Sequence, residues 1–279
     1  MDEPAPPSRP RVCLLIATAP RSGSWLLAES LRALEIAGRP EEYLRVDLEE
    51  EYRGLWAVPP GSGYDAVLEA MLRAGQTPNG VFGVKLHWFQ FVRLLHQLGH
   101  LERSLPGEPR RGLALLQAHL GPVRWIYLER RDSARQAVSW YRALVSNQWW
   151  RVPGQQRSTA TVPFDFEAIK TLHHLLLDYR AAWRTWLREE DADVLEVYYE
   201  DLAARPSATL RRILAHAGVP APRTLPRPTL VRQADGTSEW LVDAYRRSYV
   251  ATFGVGAWPE RAAPGPALVR SRTTTRPVS

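Results

Sequence analysis

The 279-residue chain predicts a three-layer α/β fold around a central, mostly parallel sheet. Two observations carry that expectation. Four apolar runs of strand length, Val12–Ala17, Gly80–Leu86, Val123–Glu129 and Val194–Glu200, lack the in-out alternation of a half-exposed strand, as strands buried on both faces do. Segments with helical spacing separate them, which is the pattern of crossover connections in a parallel sheet.

Taken in order, residues 1–10 are Pro-rich and expected to be disordered. The strand Val12–Ala17 leads through "TAPRSG" into a helix from about Ser24 to Leu34, followed by the loop "AGRPEEYL" (37–44). Residues 45–62 read as irregular, with an acidic run at Glu49–Glu51 and a turn at Pro59-Pro60-Gly61. A helix over Asp65–Ala74, the second strand, helices over Trp88–Leu98 and Gly112–Leu120, and the third strand come next. Asp132 is placed to cap a helix running to about Ser146, since its carboxylate can accept from a first-turn amide. Residues 151–164 have no apolar period and read as a mobile loop. A long helix (Asp165–Arg188), the fourth strand, a helix over Pro206–Ala217 with Pro in its first turn, an extended linker (220–228) and a last helix (Ser238–Phe253) complete a single domain over 11–255. The tail 261–279 is expected to be disordered.

Composition narrows the function classes. The net charge of +6 suits an anionic ligand, but Lys and Arg are scattered rather than striped, which disfavours nucleic acid. The lone cysteine, Cys13, lies in an apolar run and reads as a buried, inert thiol; it excludes a disulfide framework or a cysteine-rich metal site. No apolar run approaches the ~20 residues of a membrane span and the N-terminus has no signal-peptide pattern, so a cytoplasmic protein is expected.

The loop after the first strand is the most informative stretch. A helix N-terminus offers unpartnered amides and the positive end of its dipole. Gly23 lets the backbone approach a phosphate or sulfate, Ser22 and Ser24 add hydroxyls, and Arg21 adds a permanent charge. The ordinary alternative is a βα turn with a Ser cap. Nucleoside-triphosphate hydrolysis is disfavoured, because G-x-x-x-x-G-K-[ST] is absent. A second cationic cluster, Arg130 and Arg131, ends the third strand, with Ser139 two turns into the next helix. Strand C-termini of a parallel sheet share one edge, so Arg21 and Arg131 are expected to face one crevice. Two separated anion sites fit a 3′,5′-bisphosphorylated nucleoside; surface charge is the alternative for Arg130 and Arg131.

These motifs resemble those of sulfotransferases that use 3′-phosphoadenosine-5′-phosphosulfate (PAPS, released as PAP). The loop "PRSGS" resembles the 5′-phosphosulfate loop, Arg131 to Ser139 resembles the 3′-phosphate signature, and "YED" at Tyr199–Asp201 resembles the segment whose Tyr meets the adenine. The stretches "RSGSWLLAESLRA", "AGRPEE", "TPNGVFGVKLHWFQ", "RQAVSWYRA" and "RQADGTSEW" resemble the bacterial trehalose 2-sulfotransferase family over residues 12 to about 250. Two departures stand out: Trp25 occupies a position where the family usually has Thr, and residues 146–162 match poorly. Trp25 can stack on the nucleotide or pack in the core.

The resemblance implies a P-loop-like sulfotransferase fold, PAPS without a metal, a small hydroxyl acceptor (carbohydrate, glycolipid or secondary metabolite) and a homodimer. In-line sulfuryl transfer is akin to phosphoryl transfer, where positioning and electrostatics do most of the work. Arg21 and Lys85 are the candidates for stabilising charge on the leaving phosphate. For the base, Glu42 matches the carboxylate position of the trehalose-sulfating relatives, with Glu41 as its neighbouring decoy; in a closed apolar cleft its pKa is expected to be raised. His87 is the rival, because "KLH" (85–87) resembles the "KTH" of cytosolic sulfotransferases and residues two apart on a strand share a face. Arg232 resembles a segment that folds over the nucleotide, with a salt bridge to Asp235 or Glu239 as the alternative. Trp56, Trp88, Trp149 and Trp150 offer a stacking surface for a sugar or flat acceptor, though core packing accounts for most tryptophans, and His173-His174 reads as structural. A non-catalytic nucleotide-binding module and a basic nucleic-acid binder are the competing classes.

Overall fold

The computed structural model describes residues 9–103, 110–149, 154, 156, 160–225 and 235–259. Its sheet has four parallel strands in the order β2-β1-β3-β4: β1 (Val12–Thr18), β2 (Val81–His87), β3 (Val123–Glu129) and β4 (Val194–Tyr198). The unbroken apolar runs are explained by what covers each face. On β1, Cys13, Leu15 and Ala17 enter one core cluster, while Val12, Leu14 and Ile16 enter another on the opposite face. On β3, Trp125 and Tyr127 split from Ile126 and Leu128 in the same way. The period-2 geometry of a strand sends successive side chains to opposite layers, and both are apolar because both are buried.

The helices are α1 (Ser24–Arg32), α2 (Glu49–Leu55), α3 (Tyr64–Gly75), α4 (Trp88–Glu102), α5 (Gly112–Leu120), α6 (Ser133–Ser146), α7 (Phe166–Glu189), α8 (Tyr199–Ala204), α9 (Pro206–His216) and α10 (Gly236–Phe253). Asp132 caps α6 by accepting from the Arg135 amide at 2.8 Å, and Asp165 caps α7 by accepting from Ala168 at 2.9 Å. Helices α6, α7 and α10 enclose a third cluster that includes Tyr141, Ile169 and Tyr245. His173 belongs to it as a structural residue: it is fully buried, with Ser133 Oγ 2.6 Å from one ring nitrogen and Tyr245 OH 2.9 Å from the other. Cys13 is likewise buried; desolvation pushes its thiol up to about 12, leaving no reactive thiolate at neutral pH.

Apart from shifts of a few residues at helix ends, the secondary structure differs from expectation in two places. Residues 45–62 are not wholly irregular: a 3₁₀ turn (Val46–Leu48) leads into α2. The acidic run Glu49–Glu51 is the first turn of that helix, where carboxylates complement the dipole, and Glu49 pairs with Arg53 and Arg93. The fourth strand stops at Tyr198, so Tyr199 and Glu200 open α8 rather than ending β4. Of the tryptophans, Trp88 packs edge-on to Trp183 at 5.1 Å and Trp56 stacks on Tyr52 at 4.9 Å. The tails 1–8 and 260–279, much of the 151–164 loop, Trp150 and Arg232 lie outside the described residues. No helix among the described residues is long and apolar enough to cross a membrane.

Candidate functional site

The C-terminal ends of β2, β1 and β3 lie side by side and each carries candidate groups. Over β1, the loop between strand and helix turns through two residues in the left-handed region, Arg21 (φ 63°) and Gly23 (φ 89°). Gly23, not a serine, is the residue that caps α1, and it supplies no side-chain acceptor to the first-turn amides. A Cβ at Gly23 would overlap the Tyr199 ring. Gly23→Ala is therefore expected to destabilise the fold by at least ~1–2 kcal/mol from backbone strain alone, read as a lowered Tm in thermal unfolding.

Arg21 is the strained residue with a side chain, and its neighbours hold it there. Its Nε donates to Ser139 Oγ at 3.0 Å and its Nη1 to the Trp149 carbonyl. Gln136 Nε2 donates to the Pro20 carbonyl at 2.7 Å, fixing the loop from α6. Burial, then the charges of Arg130 and Arg142, lowers the Arg21 guanidinium to about 10. Cations crowded in this way are relieved by an anion. Ser22 is buried with its hydroxyl 2.5 Å from Thr18 Oγ1, beneath the loop, and Ser24 is buried at the start of α1.

Over β3, the two arginines part. The Arg130 guanidinium lies 4.9 Å from the centre of the Tyr199 ring and donates to the Arg21 carbonyl at 3.4 Å. Its Nε is buried and has no hydrogen-bond partner among the described residues. Arg131 turns to the acidic start of α8 instead: Nη2 meets Asp201 at 2.7 Å, and the side chain is half exposed over Tyr198. Thus Arg130, rather than Arg131, is the residue that the structure brings to Arg21. The reason is local. Glu200 and Asp201 offer Arg131 two carboxylates, whereas Arg130 is enclosed by Tyr199 and the loop.

Over β2, Glu42 is the meeting point. Lys85 Nζ lies 2.7 Å and His87 Nε2 3.3 Å from the same carboxylate oxygen, and Gln90 Nε2 donates to the other at 3.4 Å. Segment 38–42 reaches this position by running along the outer edge of β2. Gly38 and Gly83 meet there without side chains, and the Lys85 amide donates to the Glu41 carbonyl at 3.0 Å. Glu41 itself pairs with Arg32. Burial pushes the Glu42 carboxyl up, but the hydrogen bond and charge of His87 and the ammonium of Lys85 outweigh it. They hold the carboxyl well below the usual carboxylate range. The expectation of a raised pKa is therefore corrected: the cleft is lined by cations and donors rather than being apolar. The Trp25 ring lies 5.4 Å from Lys85 Nζ and 5.2 Å from the Arg32 guanidinium, on the β2 side of the loop. His87 stacks on Phe89 at 5.8 Å.

Sequence reading missed Gln90, Gln136 and Arg142. Gln90 could have been found, three residues after His87 on the following helix, where its Oε1 accepts from the His87 amide at 2.9 Å. Arg142 is joined to Asp235 at 2.7 Å only by the docking of α10 on α6. Asp235 and Glu239 pair with Arg142 and Arg135 of α6.

A strand–loop–helix turn bearing Arg21, a second cationic strand end and a Lys–carboxylate–His group thus lie along one sheet edge and form the candidate functional site. The chain belongs to the Stf0 sulphotransferase family, whose model matches residues 13–248. It is a sulfotransferase, an enzyme that transfers a sulfuryl group. The chain is 33% identical over 260 residues to the trehalose 2-sulfotransferase of Mycobacterium tuberculosis (strain ATCC 35801 / TMC 107 / Erdman), covering 85% of this chain and 94% of the relative. It is 31% identical over 258 residues to that of Mycolicibacterium smegmatis (strain ATCC 700084 / mc(2)155), covering 84% and 94%. Among solved structures it is similar to the sulfotransferase domain of the Synechococcus PCC 7002 olefin synthase, with 16% identity, a TM-score of 0.47, and 88% of this chain and 90% of the other covered.

Proposed function

We propose that this chain, as a single domain over residues 11–255, transfers the sulfuryl group of PAPS to a hydroxyl of a sugar-bearing acceptor. The observation that carries the reading is the arrangement along one sheet edge. The guanidinium pair Arg21–Arg130 stands over β1 and β3, and the Lys85–Glu42–His87 group stands over β2. The sugar acceptor is supported by the two trehalose-sulfating relatives.

The residues present fit the donor. Gly23, having no Cβ, lets the Tyr199 ring pack directly against the loop, and the buried Arg130 Nε has no partner among the described residues. Arg21, Gly23, Ser24 and Ser139 would hold one phosphate end, and Arg130 and Tyr199 the nucleoside end. When bound, PAPS supplies the activated sulfuryl group and departs as PAP. Lys85, steadied against the Trp25 ring, balances the negative charge that grows on the leaving side. Glu42 is ionised at neutral pH and receives the proton of the acceptor hydroxyl. Its basicity is low while Lys85 holds it, and rises as the ammonium turns toward the leaving side. The charge shift that assists departure thereby strengthens the base. His87 and Gln90 orient the carboxylate.

Titration of thermal stability with PAP and with ATP tests the donor. About 100 Kd of PAP adds ~2.7 kcal/mol to stability, with ATP adding much less; equal stabilisation by both would reject the assignment. Trehalose and other sugars with radiolabelled PAPS test the acceptor, and failure of every sugar overturns that part. The resemblance extends the reading to a cytoplasmic homodimer. Light scattering on the eluting protein tests the dimer, and a monomer mass removes it.

A further inference from the structure

We infer that Arg180 of α7, anchored by the buried Glu129, is a positioning residue that sets the spacing between the two cationic strand ends; the inference rests on the reading that Arg21 and Arg130 bind the nucleotide. Glu129 is the last residue of β3, and its carboxylate is buried. Arg184 grips it with Nε at 3.1 Å and Nη2 at 2.8 Å, Arg180 Nε stands at 3.3 Å, and Tyr127 OH donates to it. Buried ion pairs of this kind often contribute less stability than apolar residues of the same volume would, so geometry is the better account of this one.

Arg180 has a second task. Its Nη2 donates to the Arg130 carbonyl at 2.7 Å. Three residues on, Trp183 Nε1 donates to the Thr18 carbonyl at 3.0 Å. Helix α7 thus binds a main-chain carbonyl at the end of β3 and another at the end of β1. The match is geometric: side chains three apart on a helix stand ~5–6 Å apart, and neighbouring strands ~4.8 Å. One helical turn therefore spans two adjacent strand ends. Above Thr18 begins the loop that carries Arg21, whose carbonyl accepts from Arg130. Glu129 and Arg184 keep Arg180 extended along this line instead of letting it swing into solvent.

The test is a double-mutant cycle on the full chain, read by calorimetric titration with PAP and by steady-state kinetics. Arg180→Met is expected to raise the Kd for PAP and the KM for PAPS about tenfold, within the usual range of coupling between contacting residues. The acceptor KM should not change, and kcat at saturating PAPS should fall less than about threefold. Arg180→Lys should recover part of the loss. In an Arg130→Ala background, Arg180→Met should add nothing. Normal PAP binding by Arg180→Met, or the same tenfold loss in the Arg130→Ala background, overturns the inference while leaving the nucleotide site intact. Normal PAP binding by Arg130→Ala overturns the nucleotide reading and this inference with it. If Arg180→Met does not fold, Arg180→Gln carries the same comparison.

Discussion

Glu42→Gln lowers kcat by about 10²–10⁴, the usual contribution of a positioned general base, while PAP binds as it does to the unaltered enzyme. The amide keeps the volume and a hydrogen-bonding oxygen but cannot take a proton. His87→Ala should cost much less, since His87 Nε2 meets the same oxygen as Lys85 and acts in this reading through Glu42. The reverse ranking, with Glu42→Gln near normal and His87→Ala inactive, would make His87 the base. The pH dependence has a defined sign. Glu42 is a base only when ionised, and its folded pKa lies below the usual range, so activity attributed to it persists as pH falls toward about 5. The same depression contributes to stability. That contribution is complete above the unfolded value of about 4.3 and is lost as pH falls through the folded one.

Lys85→Met is the second large effect: kcat falls by about 10²–10³, the size seen when one preorganised donor to a developing charge is removed. Methionine preserves much of the buried stem, so the loss reports the ammonium. Lys85 is 3% exposed, and no water can readily replace its charge in that position. A further consequence separates this variant from simple misfolding. Without the ammonium 2.7 Å away, Glu42 loses one of the two partners that hold its pKa down, and the burial that opposes them gains weight. The acid limb of the residual kcat/KM profile should therefore move to higher pH. An unmoved limb would mean that Lys85 does not govern Glu42 in the working enzyme.

Much of this protein is legible in its amino-acid sequence. The unalternating runs at 12–17, 80–86 and 123–129 become the three adjacent strands, because residues buried on both faces have no polar side to show. The Arg21–Ser24 loop, the Asp132 cap, and the sharing of one face by Lys85 and His87 follow from local rules whose range is a few residues. The acidic run at 49–51 misled because three charges in a row resemble a solvated loop, whereas they suit a helix N-terminus equally well.

Tertiary structure alone decided the rest. Which of Arg130 and Arg131 turns inward depends on Tyr199, Glu200 and Asp201, some seventy residues later. Whether the Glu42 carboxyl is raised or lowered depends on Lys85 and His87, brought to it when segment 38–42 lies along the edge of β2. Local patterning sets which groups reach the sheet edge, since periodicity and capping act between near neighbours. Their orientation, partners and proton affinity are set by Coulomb forces and hydrogen bonds between residues far apart in the chain, which only packing makes adjacent.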